Sequence, residues 1–431
     1  MNARISQILR LAIPSIISNI TVPLLGLVDV GIVGHIGDAK YIGAIAVGTM
    51  LFNVIYWIFG FLRMGTGGMT SQAYGHRDFK EVIRLLIRTL TIGLVIGFLF
   101  IILQIPLIQF GLWIMKPDIG MLSLCWKYCL ICIWGAPAVL AMYGLTGWYV
   151  GMQNTRVPMM ASIGQNILNI ISSLIFVFVF HMDISGVAIG TIIAQWGGVL
   201  FSLLLLHHSY KRLYKYFSWS GLFDYHALYH FFIVNRDIFI RTLFLVSVFL
   251  SFTSIGSRQG AIILAINTLL MEFFTVFSYF TDGLAYAGEA LCGKYYGARN
   301  REAFREVVHH LFYLGFIVAV FFTVIYSFAG ESFLSFLTTD THVICVSKSY
   351  IGWTCLIPIV GVSAFLLDGI FVGITNTKGL LLSSVIAAIL FFIVYLLLRS
   401  QLHNHALWLA FLLYLAARGI VEFILFIRQP V

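Results

Sequence analysis

Apolar runs of about 20 residues recur from one end of the chain to the other, separated by short polar, turn-like clusters. At 1.5 Å per residue, about 20 residues is the length that crosses a hydrocarbon core. The pattern predicts twelve helices, at 8–34, 42–72, 84–110, 122–150, 157–180, 186–208, 234–256, 261–292, 307–329, 344–374, 380–398 and 406–427. The runs are apolar all round, without the period-two alternation of a membrane barrel strand. Backbone groups in lipid must then be satisfied within helices. The fold class that follows is an all-α integral membrane protein.

Composition agrees: 60% of the 431 residues are hydrophobic and 10% are charged, against about 25% charged in soluble domains. The first apolar stretch is too long for a cleavable signal, contains Asp29 and lacks a small-residue cleavage site, so it is expected to stay as span one. A formal net charge of +9 invites a nucleic-acid reading. The basic residues, however, sit in short loops between spans and not along one aromatic-interleaved face. If twelve spans alternate, Arg4, Arg10, Arg77, Lys80, Arg84, Arg88, Arg156, Lys211, Arg212, Lys215, Lys294, Arg299, Arg301, Arg305, Lys378 and Arg428 fall on one side. Lys40, Lys116, Lys127, Arg258, Lys348 and Arg399 fall on the other. The positive-inside rule then places both termini in the cytoplasm, and no nucleic-acid partner is expected.

The stretch GWYVGMQNTR (147–156) returns as GIFVGITNTK (369–378), an offset of 222 residues, with Gly147/Gly369, Gly151/Gly373, Asn154/Asn376 and Thr155/Thr377 in step. The same offset carries AYGHR (73–77) onto YYGAR (295–299). Two matches at one offset indicate a duplication. Because each half would hold an even number of spans, the halves share one orientation and are related by a pseudo-two-fold axis along the membrane normal. The expected organisation is an N-lobe at 1–208, a cytoplasmic linker at 209–233 rich in aromatic and basic residues, and a C-lobe at 234–431, with the substrate path between lobes.

Several motifs mislead. GEALCGKY (288–295) mimics a phosphate loop, but Tyr295 stands where a magnesium-binding hydroxyl is required and no strand precedes it. Cys125, Cys129 and Cys132 lie on one face of a predicted span and read as helix packing, and no structural disulfide is expected. The sequon Asn19-Ile20-Thr21 is inside span one. His207-His208 and His309-His310 stand near helix ends without a carboxylate at ligand spacing, so no metal site is expected. Neither H-E-x-x-H nor G-x-S-x-G occurs, and no constellation of nucleophile, base and oxyanion donor is visible, so an enzyme is not expected.

The informative polar residues are those inside the spans: Asp29, Glu272, Asp282, Glu289, Asp368 and Glu422, with Arg63 and Arg418. A charge at mid-helix costs on the order of 2.5 to 3.5 kcal/mol on insertion scales, which makes function the default reading. Glu289 and Glu422 lie near span ends, where snorkelling or pairing explains them. Asp29 lies well inside span one, after Pro14 and Pro23 in the same helix. Proline removes a backbone donor and bends a helix, and desolvation favours the protonated carboxyl, so Asp29 suits a switch driven by proton or cation binding. For Asp282 and Asp368 transport and structural roles both stay open.

The chain resembles the MATE (multidrug and toxic compound extrusion) transporters, in their DinF-like branch, over essentially its whole length. The resemblance rests on ITVPLLGLVDVGIVGHIG (20–37), FLRMGTGGMTSQAYG (61–75), LTGWYVGMQNTRVP (145–158), NRDIFIRTL (235–243), YFTDGLAYAGEALCGKYYGAR (279–299), LLDGIFVG (366–373) and NHALWLA (404–410), in order. It implies twelve helices in two lobes around a V-shaped cavity, and export of amphipathic or cationic compounds in exchange for protons or sodium by alternating access. It also implies an N-lobe cation site at Asp29, Asn169, Ser173 and Thr191, and a bending helix one at Pro14. Ser173 departs from the family pattern, since many relatives carry a second carboxylate there. Asp29 is then the sole acid of the set, which favours protons over sodium as the coupling ion, because sodium prefers more compensating negative charge.

Further expectations complete the picture: no cofactor beyond the coupling ion, Glu272, Asp282 and Asp368 as a candidate coupling group in the C-lobe, and Met50, Tyr56, Met64, Met142 and Tyr143 as candidate cavity lining, with Phe52 and Trp57 beside them. Partners would be small amphipathic or cationic molecules and membrane lipids, the protein a monomer, and its location a bacterial inner membrane. The alternative is a lipid-linked precursor flippase of the same superfamily, which would need many cationic residues to hold pyrophosphate. Embedded bases are few, chiefly Arg63 and Arg418.

Overall fold

The computed structural model describes residues 3–34, 39–338 and 340–428, with the backbone alone at 22–30, 33–34, 39 and 336. All regular structure among the described residues is helical. Eleven helices among them, single or joined end to end, are long and apolar enough to cross a membrane. The first predicted span forms α1 (Ala3–Gly34). The expected all-α membrane architecture is the one found.

The chain divides into two compact units, Ile17–Phe231 and Met1–Ile16 with Phe232–Val431. Helix α1 thus passes from one unit to the other just after Pro14, which is buried within it. The first unit continues with α2 (Ala39–Ile58), α3 (Phe61–Gly75), α4 (Phe79–Ile102), α5 (Gln104–Met115), α6 (Ile119–Cys132), α7 (Ala136–Gly151), α8 (Arg156–Leu174) and α9 (Asp183–Tyr210). Helix α10 (Tyr225–Arg258) leads into the second, followed by α11 (Ala261–Gly297), α12 (Arg301–Leu337), α13 (Thr341–Ser347), α14 (Ile351–Gly373), α15 (Thr377–Leu402) and α16 (Asn404–Ile427).

Four expected continuous spans are broken, that at 344–374 into α13 and α14. The span at 42–72 divides into α2 and α3 at a tight turn in which Gly60 N–H donates to the Trp57 carbonyl at 3.0 Å. The spans at 84–110 and 122–150 divide before Pro106 and Pro137, each in the first turn of the next helix, where the missing N–H costs no hydrogen bond. Residues 225–233, expected in the linker, form the first turns of α10.

The duplication is visible in backbone detail. In the first unit α7 packs on α3 and α4, and in the second α14 packs on α11 and α12. A Cβ on Gly147 would lie 2.2 Å from the Arg63 carbonyl oxygen, and one on Gly369 would lie 2.2 Å from that of Ala285. A Cβ on Gly151 would meet Gly67 O at 2.8 Å and Ser71 N at 2.9 Å, and on Gly373 it would meet Glu289 O at 2.6 Å and Gly293 N at 2.9 Å. Every one of these pairs is separated by the 222-residue offset. The glycines let backbones touch, as in small-residue helix packing in membranes.

Helix ends repeat as well. Arg77 and Arg299, Gln153 and Thr375, and His181 and His403 are matched positions with φ between 47° and 63°. Asp78 N–H bonds back to Ala73 O at 2.9 Å and Asn300 N–H to Tyr295 O at 3.0 Å, the wrap that closes a helix C-terminus. Asp78 and Asn300 then cap the next helix by accepting from Glu81 and Ala303 N–H, each at 3.0 Å.

Residues just after α9 belong to the first unit through Arg88. Its buried guanidinium pairs with Glu81 and donates to the Leu222 and Gly221 carbonyls, the latter at 2.8 Å. Cys125, Cys129 and Cys132 are buried in the apolar core that α2, α6 and α9 share.

Candidate functional site

Two buried polar centres stand out, one in each unit. In the first, α8 and α9 pack along their length. Asn169 is fully buried on α8, and its Nδ2 donates to Thr191 Oγ1 at 3.1 Å. Thr191 in turn donates to the Val187 carbonyl one turn back at 3.0 Å, which aims its oxygen lone pairs at the amide. Ser173, one turn beyond Asn169, is also fully buried. Among the described residues neither Asn169 Oδ1 nor Ser173 Oγ has a hydrogen-bond partner. Gly190 makes room for that serine, since a Cβ there would lie 2.5 Å from Ser173 Oγ.

Helix α1 is tied to α8 at Thr21, whose carbonyl accepts from Asn166 Nδ2 at 2.9 Å and whose hydroxyl meets Ser162 Oγ at 3.3 Å. As the first and fifth predicted spans, α1 and α8 run in the same direction. Asp29 lies eight residues beyond Thr21 and Ser173 seven beyond Asn166, roughly 12 and 10 Å along the two helices. Counted along the chain, Asp29 and Ser173 are thus at similar distances from the Thr21–Asn166 contact. The Asp29 side chain itself lies outside the described residues, so three members of the expected set, Asn169, Ser173 and Thr191, are seen together.

The second centre joins four helices. Arg241 of α10 and Arg418 of α16 both donate through Nη2 to one oxygen, Oδ2, of Asp368 on α14. One turn after Arg418, Glu422 is fully buried and accepts from Ser383 Oγ of α15 at 2.7 Å. Asp368, Arg418 and Arg241 are charged groups near Glu422. Among the described residues Asp368 Oδ1 and Glu422 Oε2 have no hydrogen-bond partner.

The expected C-lobe trio is distributed differently. Glu272 is exposed on α11, Asp282 is half-buried on the same helix, and Asp368 belongs to the arginine cluster. Glu422 and Arg241 are the members the sequence did not single out for function. The usable signals were the Arg418/Glu422 spacing of four, which puts both on one face of α16, and Arg241 inside NRDIFIRTL. Of the residues expected near a cavity, Tyr56 is in the core of the first unit and Tyr143 packs against it, Met64 and Met142 are half-buried, and Met50 is exposed. Phe52 shares that core and Trp57 is exposed.

Fold and sites together define a polytopic membrane protein with buried polar centres. Its sequence matches the MatE family over residues 14–175 and 238–398. It is 37% identical over 417 residues to DNA damage-inducible protein F of Escherichia coli (strain K12), covering 95% of this chain and 89% of that protein. A probable multidrug resistance protein NorM of Photorhabdus laumondii is 24% identical over 380 residues, covering 87% of this chain and 83% of that one. A crystal structure of MATE in the bent conformation has the same fold, with a TM-score of 0.86 at 17% identity, over 97% of this chain and 94% of that one. The chain belongs to the MatE family, and is a membrane transporter and not an enzyme.

Proposed function

We propose that the protein is a proton-coupled efflux antiporter for amphipathic or cationic organic compounds, working by alternating access in a bacterial inner membrane with both termini cytoplasmic. One observation carries the reading: Asn169 and Ser173 bury two oxygens without partners among the described residues, beside Thr191, and Ser173 is about as far along the chain from the Thr21–Asn166 contact as Asp29. Buried polar groups without partners cost free energy, so they are retained where something else binds them, here a proton or cation shared with Asp29. With Ser173 in place of a second carboxylate, the set carries a single acid. That suits one titrating proton better than a sodium ion, which needs more compensating charge.

Protonation of Asp29 from outside would neutralise a charge in α1 and favour release of substrate. Deprotonation inside resets the cycle. Each proton adds ~1.4 kcal/mol per pH unit of gradient and ~2.3 kcal/mol per 100 mV. The working form is a monomer that needs no cofactor. The test is ethidium export by the purified protein in proteoliposomes under an imposed pH or sodium gradient. Transport driven by the pH gradient alone supports the reading, and transport driven by sodium alone overturns it.

A further inference from the structure

Helix α9 has 28 residues, about 42 Å at 1.5 Å per residue, against a hydrocarbon core of about 30 Å, so its ends reach the headgroup layers. Leu200, Leu203 and Leu204 are exposed on it, as lipid-facing side chains are, and His207 and His208 follow. Lys211 comes seven residues after Leu204, roughly 10 Å further on. A short 3-10 helix, Lys211–Tyr216, then leads into an irregular strap that reaches α10 at Tyr225. One side of this strap is held down. Tyr210 packs on the Trp148 ring and accepts from Asn154 Nδ2 at 3.1 Å, the Tyr216 ring lies 5.4 Å from that of Phe79, and Leu222 is buried. Arg84 donates to the Ser220 carbonyl at 2.7 Å, and Arg88 holds the next two carbonyls.

The exposed side chains of the strap are basic and aromatic. Lys211, Arg212 and Lys215 are open, and the rings of Phe217, Trp219 and Phe223 are 40%, 77% and 51% exposed. No Asp or Glu occurs between Asp183 and Asp224, and Asp224 is engaged at the start of α10, where it accepts from His226 and Ala227 N–H at 3.2 and 3.4 Å. Glu81, the acid on α4 nearest the anchors, is taken by Arg88. Large rings fixed in water expose apolar surface at a cost, whereas aromatic and cationic side chains together are stable at a membrane interface. We propose that residues 211–223 bind anionic phospholipid headgroups of the leaflet in which α9 ends. Lipid phosphates lie against Lys211, Arg212 and Lys215, and Phe217, Trp219 and Phe223 enter the interface beside them. Each base near an anionic leaflet adds attraction. The Arg84 and Arg88 anchors hold the strap before lipid arrives, so little ordering cost opposes binding.

The lipid site goes beyond export and stands whichever ion drives it. Its test uses the full-length protein in nanodiscs of phosphatidylcholine alone, or of phosphatidylcholine with phosphatidylglycerol, and follows chymotryptic cleavage within 214–223. Phosphatidylglycerol is expected to slow cleavage several-fold, and added salt to remove that protection, since screening weakens attraction between exposed charges. The triple variant Lys211→Gln, Arg212→Gln, Lys215→Gln changes exposed side chains only, keeps the Arg84 and Arg88 anchors, and should be cleaved at one rate in both discs. Equal rates for the parent in the two discs overturn the proposal, as does phosphatidylglycerol protection that survives in the triple variant. Protection of the parent in phosphatidylcholine discs by free glycerol phosphate, by an acidic peptide or by an RNA oligonucleotide, as strong as that by phosphatidylglycerol, reassigns the strap to a soluble partner and overturns the lipid site.

Discussion

Asn169 and Thr191 are joined across α8 and α9 by an amide-to-hydroxyl hydrogen bond of 3.1 Å, and that bond fixes which way Asn169 presents its other oxygen. Thr191→Val keeps the shape and removes the acceptor. An interhelical bond of this kind is worth about 1 kcal/mol, so the variant should unfold slightly earlier in detergent. Its exchange activity should fall by about fivefold or more, the equilibrium equivalent of that energy. Parallel thermal unfolding and dye-export assays check both, and normal export by a destabilised Thr191→Val protein would remove Asn169 orientation from the mechanism.

The matched crossings predict matched damage. Gly147→Ala and Gly369→Ala each place a Cβ 2.2 Å from a backbone carbonyl oxygen that has no side-chain freedom with which to yield. Overpacking of this type costs about 1 to 3 kcal/mol. Gly164 on α8 has nothing within 4 Å of its Cβ position, so Gly164→Ala should stay within about 0.5 kcal/mol of the parent. Thermal stability of the three purified variants, measured side by side, tests whether both halves use the same contact.

Arg88 ties the segment after α9 to α4, and its charged hydrogen bonds to Gly221 and Leu222 cannot be replaced by alanine. Loss of such bonds costs about 1.5 to 3 kcal/mol each at most, confined here to one segment. Arg88→Ala is therefore expected to speed proteolytic cleavage within 211–224 several-fold while the helical circular dichroism signal stays unchanged. Equal cleavage rates would show that other contacts hold the segment.

Much of this architecture was legible in the sequence, because membrane spans announce themselves by length and apolarity and because the duplication preserved Gly147/Gly369 and Asn154/Asn376 at one offset. The breaks at Gly60, Leu103 and Ile133–Gly135 were not, since hydropathy is blind to a tight turn inside an apolar run. Asn169, Ser173 and Thr191 were reachable through resemblance, and in the structure Asn169 donates to Thr191. The Asp368 cluster was read only in part. Its members come from α10, α14, α15 and α16, and nothing in linear spacing brings Arg241 to Asp368 across 127 residues. Glu422 looked like a residue near a helix end, but burial against Ser383 makes it a core carboxylate.

Coupling through Asp29 is the centre of the account. The direct measurement is ethidium uptake into inverted membrane vesicles under an imposed pH gradient, comparing the parent with Asp29→Asn, which keeps size and polarity but cannot exchange a proton. The account predicts uptake driven by the pH gradient in the parent and none above background in Asp29→Asn at equal expression. Wild-type uptake by Asp29→Asn would contradict it and move coupling away from helix one.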